Sequence, residues 1–187
     1  SFSQNISIED TTAPVFDAVA EDATVECDQE IPAPAAEASD NCGEVSIDVS
    51  EEITAGECEA EYTLVRTYTA TDDCGNSATA TQTINVVDTT APVVVPADDV
   101  TVECDQELPA PAAEVTDNCS ETELSVSEEI IEGECANEYT LVRTYSATDA
   151  CGNVSESATQ TINVVDTTAP VFDEYPVEVD VPCDNIE

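Results

Sequence analysis

The sequence predicts an all-β protein made of tandem β-sandwich modules. Three observations lead there: an internal repeat, runs of alternating apolar and polar residues, and cysteines that keep step with the repeat. The segment DTTAP begins at Asp10, Asp88 and Asp166, which sets a 78-residue period (88 − 10 = 78; 166 − 88 = 78). Longer blocks recur almost letter for letter: TVECDQE at 24 and 101, EYTLVRTY at 61 and 138, and ATQTINVVDTTAPV at 80 and 158. Cys27, Cys42, Cys58 and Cys74 return 77 residues later (104 − 27 = 77) as Cys104, Cys119, Cys135 and Cys151. The expected units are therefore 10–87 and 88–165. Residues 4–10, QNISIED, align with QTINVVD at 82–88, so 1–9 is expected to be the last strand of a preceding module. Residues 166–187 are expected to begin a truncated third module that stops just after its first cysteine, Cys183.

Within a unit the strands follow from the two-residue period. Val45-Ser46-Ile47-Asp48-Val49 alternates as a half-buried strand does, and so does Tyr62 to Ala70, with Thr at most of the alternate places. Ala80 to Val87 is a third such run. Gly, Pro, Asn and Asp punctuate the gaps in IPAPAAEASDNCG, TAGEC and TDDCGN. No segment keeps a helical period with caps. About seven short strands per unit, with turns every ~8–12 residues, fit an immunoglobulin-like sandwich, and a string of such sandwiches makes an extended rod.

Composition excludes several function classes. Arg66 and Arg143 are the only cations, against 43 carboxylates and a net charge of −41. Phosphate backbones and anionic membrane surfaces both require clustered Lys and Arg, so neither nucleic acid nor a membrane surface is an expected partner. No apolar run is long enough to cross a bilayer. His and Lys are absent and no free thiol is expected within a complete unit, so nucleophilic catalysis has no materials. Acid pairs alone are a weak glycosidase signal among 43 carboxylates, and no enzymatic activity is expected.

Nine cysteines in so short a chain indicate an oxidising, extracellular compartment. Zinc is disfavoured, because no Cys-x-x-Cys pair and no His is present. Counting chain reversals places Cys42 and Cys74 at the leading pole of the first unit and Cys27 and Cys58 at its trailing pole. A seven-residue strand holds the poles ~23 Å apart, far beyond the ~4.4–6.8 Å between bonded cysteine Cα atoms. Pairing within a pole of one unit then predicts Cys27–Cys58, Cys42–Cys74, Cys104–Cys135 and Cys119–Cys151. Sequential pairing, Cys27 with Cys42, stays open, since four cysteines allow three connectivities.

DTTAPV, then TVECDQEIPAPAAEASDNCG, then EYTLVRTYTATDDCGNSATATQTINVVDTTAP resembles the hyalin-repeat-like (HYR-like), immunoglobulin-like modules of giant surface proteins, most closely those of Bacteroidetes-type gliding and adhesion proteins. Tyr68 and Tyr145 stand where that family would have Trp. The resemblance implies a cell-surface stalk or spacer without catalysis. The alternatives are an adhesive module that binds glycan or a partner protein, and a subunit of a polymerising filament. In each case neighbouring modules of the same chain are the first partners.

The acids raise the question of calcium, which takes six to eight oxygens from carboxylates, carbonyls and water. The loops Asp72 to Asn76 and Asp149 to Asn153 resemble calcium-binding linkers of bacterial adhesins. The expected junction set is linker Asp88 with Asp28, Glu30 and Glu57 from before and Asp117 and Asp149 from after. The repeat adds Asp10 with Asp40 and Asp72, and Asp166 with Asp105. Against this, Asp and Asn also suit turns for local reasons. Arg66 and Arg143 are read as structural cations, partly buried and paired to a carboxylate. Thr11, Thr89 and Thr167, in DTT, resemble acceptors for O-glycans; the alternative role is capping of the linker turn. The Asn-x-Ser triplets at Asn5, Asn118 and Asn153 are read as coincidence.

Overall fold

The computed structural model describes residues 2–172. Cys183 and most of the third unit's start lie outside them. The first module forms β1 (Val15–Val19), β2 (Ala23–Glu26), β3 (Ala36–Ser39), β4 (Val45–Ala55), β5 (Tyr62–Asp72) and β6 (Ser77–Val87). The second forms β7 (Val93–Pro96), β8 (Val100–Glu103), β9 (Ala113–Thr116), β10 (Thr122–Glu132), β11 (Tyr139–Asp149) and β12 (Ala158–Val165). No helix forms among the described residues.

Six strands form per module where about seven were expected. The stretch between β2 and β3 forms none, since Pro32 and Pro34 there lack the N–H a ladder needs. Residues 2–9, expected to be a strand, also form none, because no described strand pairs with them and a strand requires a ladder partner.

Each module is a four-stranded sheet, β2-β6-β5-β4 or β8-β12-β11-β10, faced by a two-stranded sheet, β1-β3 or β7-β9. The opening segment is divided between the two. β1 pairs antiparallel with β3, then the chain crosses and β2 pairs parallel with β6. Since β2 and β6 run the same way, Cys27 after β2 arrives at the pole where β6 leaves for the next module.

The alternation seen in the sequence becomes the core. Leu64, Tyr68 and Ala70 of β5 face Ile84 and Val86 of β6, all nearly inaccessible; Leu141, Tyr145, Ala147, Ile162 and Val164 repeat this in the second module. In the same phase lie Arg66, 5 % exposed, and Gln82. Arg66 pairs with Glu51 at 2.7 Å and donates to the Pro32 carbonyl and to Gln82 Oε1. The Tyr68 hydroxyl donates to the same Gln82 oxygen at 3.1 Å, and Gln82 Nε2 donates to the Glu21 carbonyl at 2.7 Å. This buried network ties the four-stranded sheet to the segments on either side of β2, as buried polar groups must be satisfied. Arg143, Glu128, Pro109, Tyr145, Gln160 and Asp98 repeat it.

Beyond this network the two-stranded sheet covers little. Along the outer strands Val49, Ile53, Val126 and Ile130 are exposed, and Glu51, Glu52, Glu128 and Glu129 lie beside them. Charges of this kind blunt an open sheet edge.

The junction between modules as candidate functional site

Four cysteines meet where the first module ends and the second begins. Cys27 bonds to Cys119 with Cα atoms 6.0 Å apart, and Cys58 bonds to Cys151 with Cα atoms 5.1 Å apart. This corrects the expected connectivity. None of Cys27–Cys58, Cys42–Cys74, Cys104–Cys135 or Cys119–Cys151 forms, nor does Cys27–Cys42. Cys42, Cys74, Cys104 and Cys135 are exposed and free among the described residues. The physical reason lies in the sheet. Cys27 follows β2 at one edge, and Cys58 sits in the hairpin joining β5 to β4 at the other edge. Two to three strand spacings of ~4.8 Å separate them, beyond disulfide reach. A stacked neighbour brings a nearer sulfur to each.

Local turns aim these side chains. In the β11–β12 loop Asp149 Oδ1 accepts the N–H groups of Cys151 (2.9 Å) and Asn153 (2.8 Å). Gly152 there has φ +91°, a conformation that glycine adopts without a Cβ penalty. Asp117 Oδ1 accepts from Cys119 N–H (3.0 Å) and Ser120 N–H (2.9 Å). Asn153 Nδ2 then reaches across to the linker, donating to the Asp88 carbonyl at 3.0 Å and to Asp149 Oδ2 at 2.8 Å. Asn118 and Asn153 are thus structural: Asn118 lies against the Cys27 sulfur.

Around this linker three carboxylates converge. Ligand-capable oxygens of Asp88, Asp117 and Asp149 all lie within 4.8 Å of one another, and Asp10, Asp40 and Asp72 form the same group at the head of the first module. Asp28 and Asp105, named as candidates, stand outside these groups, as does Asp166 among the described residues. The trio is therefore built from a linker aspartate and the leading pole of the module that follows it. Burial pushes the Asp88 carboxyl above its ordinary value, and the charges of Asp117 and Asp149 push the same way. Asp72 is held below its ordinary value, first by the Asn76 side chain. At Asp149 burial opposes ionisation, but donors from Asn153, Cys151 and Gly152 outweigh it and hold the carboxyl low. Asp117 Oδ2 is buried and has no hydrogen-bond partner. Three close carboxylates with one orphaned oxygen are the donor set a hard cation takes, so the residues fit calcium.

Sequence reasoning missed Ser120, whose hydroxyl lies 3.3 Å from Asp88 Oδ2, and Gln82 and Gln160 in the cores. The glutamines carried a signal, being polar residues in phase with Ile84 and Ile162. Ser120 carried none, since its counterpart is Gly43. Thr89 N–H and Oγ1 both donate to Glu26, which holds that carboxyl low, and Thr167 does the same to Glu103.

Two matching β-sandwiches joined by a pair of disulfides define a class of cysteine-stapled β-sandwich modules. Residues 15–86 and 92–164 each match the family described as HYR-like domain with 4 cysteines, and the chain belongs to that family. It is 38 % identical over 146 residues to hyalin of Lytechinus variegatus, a match covering 72 % of this chain and 27 % of that protein. The chain is thus a tandem pair of HYR-like repeat modules, and it spans about a quarter of the length of that relative. Among solved structures, protocadherin gammaB7 EC3-6 is similar at 18 % identity and TM-score 0.38, covering 86 % of this chain and 49 % of that one. Drosophila N-cadherin EC1-4 follows at 16 % and 0.37, covering 83 % and 50 %. Likenesses this weak carry no argument.

Proposed function

We propose that the chain is a section of a cell-surface stalk, a spacer whose modules are fixed to one another at their junctions by two disulfides and by calcium. The observation that carries this is the double bridge: Cys27–Cys119 and Cys58–Cys151 leave different strands of one module and enter different loops of the next. One bridge would permit rotation about itself. Two, with the linker as a third connection, restrain swing and twist together.

The repeat units remain those proposed, 10–87 and 88–165, with 1–9 and 166–187 belonging to neighbours. The setting in a giant surface protein of Bacteroidetes type rests on the sequence resemblance alone. Similarity of the two modules supports a spacer over a specialised binding module, because the largest differences, at 42–55 against 119–132, mostly preserve the alternation. Calcium would be held by Asp88, Asp117 and Asp149 at the central junction and by Asp10, Asp40 and Asp72 at the one before. When bound, it would offset the burial, and with it the repulsion from Asp117 and Asp149, that keeps Asp88 reluctant to ionise. The linker hydroxyls of Thr89 and Thr167 are engaged with glutamates, which favours the turn-capping role over a glycan for the repeated Thr11, Thr89 and Thr167 position.

Solution scattering and thermal melting with calcium and with chelator test the reading. Calcium is expected to raise Tm and narrow the distribution of inter-module angles, and Asp117→Asn to abolish both effects. Identical curves with and without the ion would remove calcium from the proposal. A broad angular distribution in the oxidised protein would remove the stalk.

A further inference from the structure

The four free cysteines stand at poles built like the two that are joined. At the joined leading pole, Cys119 and Cys151 take their N–H bonds to Asp117 and Asp149, and Asn153 grips the Asp88 carbonyl. At the open leading pole, Cys42 N–H donates to Asp40 Oδ1 and Cys74 N–H to Asp72 Oδ1, both at 2.9 Å, while Asn76 Nδ2 donates to the Asp10 carbonyl at 3.1 Å. The trailing poles match as well. Cys27 N–H donates to the Val87 carbonyl at 2.9 Å, and Cys104 N–H to that of Val165 at 2.8 Å. Glu61 N–H closes on the Cys58 carbonyl at 3.2 Å, and Glu138 N–H on that of Cys135 at 3.1 Å. Asp88 lies beside Cys27; Asp166 is close enough to Cys104 and Cys135 for its charge to act on both thiols.

We propose that these are half-staples: Cys104 and Cys135 bond to the second and fourth cysteines of the module that follows through the Asp166 linker, and Cys42 and Cys74 to the first and third of the module before. Two disulfide rails then run the length of the array. The occupant is the next module of the same chain because the joined pair shows that arrangement across an identical linker, with Asp88 and Thr89 where Asp166 and Thr167 stand at the open end. The inference is independent of the spacer role and of any bound cation.

Each bridge forms by exchange with a more oxidising disulfide. One thiolate attacks the donor to give a mixed disulfide, and the second thiolate displaces the donor's sulfur. Two thiols lose two protons and two electrons, and the donor leaves as a dithiol. Burial and then Asp166 raise the Cys104 thiol above its ordinary value, and Glu138 first raises that of Cys135, which lowers the thiolate fraction of both until they are bridged.

The rails change how tension is carried. Force arriving at Cys119 from Cys27 leaves the second module at Cys104, only 15 residues away (119 − 104 = 15). The other rail spans 16 (151 − 135 = 16). Fifteen residues reach at most ~50 Å, against ~260 Å for a whole unfolded repeat. A folded 11-residue strand already spans ~36 Å. A module bridged on both sides is therefore almost inextensible, whatever its non-covalent stability.

The test is the full chain with a further copy of residues 10–87 inserted after Val165, so that the inserted cysteines lie in peptides different from those of 88–165. Oxidised under a glutathione couple and mapped without reduction, a monomer is expected to show the Cys104 peptide joined to the Cys42 sequence and the Cys135 peptide to the Cys74 sequence. A Cys104–Cys135 bond, or free thiols at both, would overturn the proposal. The same linkages found only in covalent dimers would overturn it in favour of chain-to-chain assembly. Force spectroscopy of the same protein supplies the second readout. The unfolding step of the middle module, about 220 Å when reduced, is expected to shrink to about 20 Å when oxidised. Equal steps in both states would sink the rails.

Discussion

The leading poles of the two modules use the same residues yet differ in state. Asp10, Asp40 and Asp72 converge as Asp88, Asp117 and Asp149 do. Asp88, however, is 3 % exposed and reluctant to ionise, whereas Asp10 is only half-buried. Among the described residues only the second pole has a module docked against it. The turns that gather three carboxylates are thus local, while the desolvation that charges them with energy comes from the neighbour. The surroundings differ too. A Cβ on Gly43 would lie 3.3 Å from Asp73 Oδ2, whereas at the second pole Ala150 replaces that aspartate and Ser120 replaces the glycine. The room released is used to place a hydroxyl beside Asp88.

The largest way to break this contrast is to undock the neighbour. Cys27→Ser together with Cys58→Ser removes bridges that close spans of 92 and 93 residues. Each is worth up to about 4.6 kcal/mol in the chain-entropy model. A Tm loss of roughly 10 °C or more, measured by calorimetry, and a broadened scattering envelope are expected. The Asp88 environment should come to resemble that of Asp10.

A control within the modules should not distinguish the poles. Arg143→Ala leaves Gln160 and the Pro109 carbonyl short of a donor inside the core, and Arg66→Ala does the same in the first module. Each is expected to cost about 3 kcal/mol in denaturant unfolding, equally in both modules. Unequal costs would show that docking reaches into the cores.

Smaller, and specific to the docked pole, is the response to pH and cation. A raised carboxyl pKa means that the folded junction binds its proton more tightly than the unfolded chain. That contribution is fully present below the unfolded value and is lost as pH rises through the folded one. Asp88→Asn is accordingly expected to raise Tm by a few degrees at neutral pH in chelator and to abolish the gain from calcium, with Asp10→Asn doing less. A gain from calcium that survives Asp88→Asn would place the ion elsewhere. The smallest effect is expected from converting one pole into the other: Ser120→Gly with Ala150→Asp should cost about 0.5–1 kcal/mol through the lost contact to Asp88.

Much of the fold was legible because it is written in short range. A period-two run such as Tyr62 to Ala70 has only one way to bury Leu64 and Tyr68 together, so strand and facing follow from spacing. The carboxylate trio was legible in part. Asp117 and Asp149 are placed by their own turns, but Asp28 could be assigned to the site only by assuming which pole contributes, and it stands outside. Residues 2–9 form no strand with the described residues, because a strand is a relation between two segments.

The sequence by itself determined the module, its all-β class, its repeat and the pole each cysteine occupies, since all of these depend on residue periodicity and chain reversals. Only the tertiary structure decided which sulfurs bond. At one pole Cys27 and Cys58 lie at opposite edges of a sheet, and across the junction Cys119 and Cys151 lie within reach. Disulfide pairing depends on distances of a few ångströms between segments some ninety residues apart, and the stacking of two modules sets those distances.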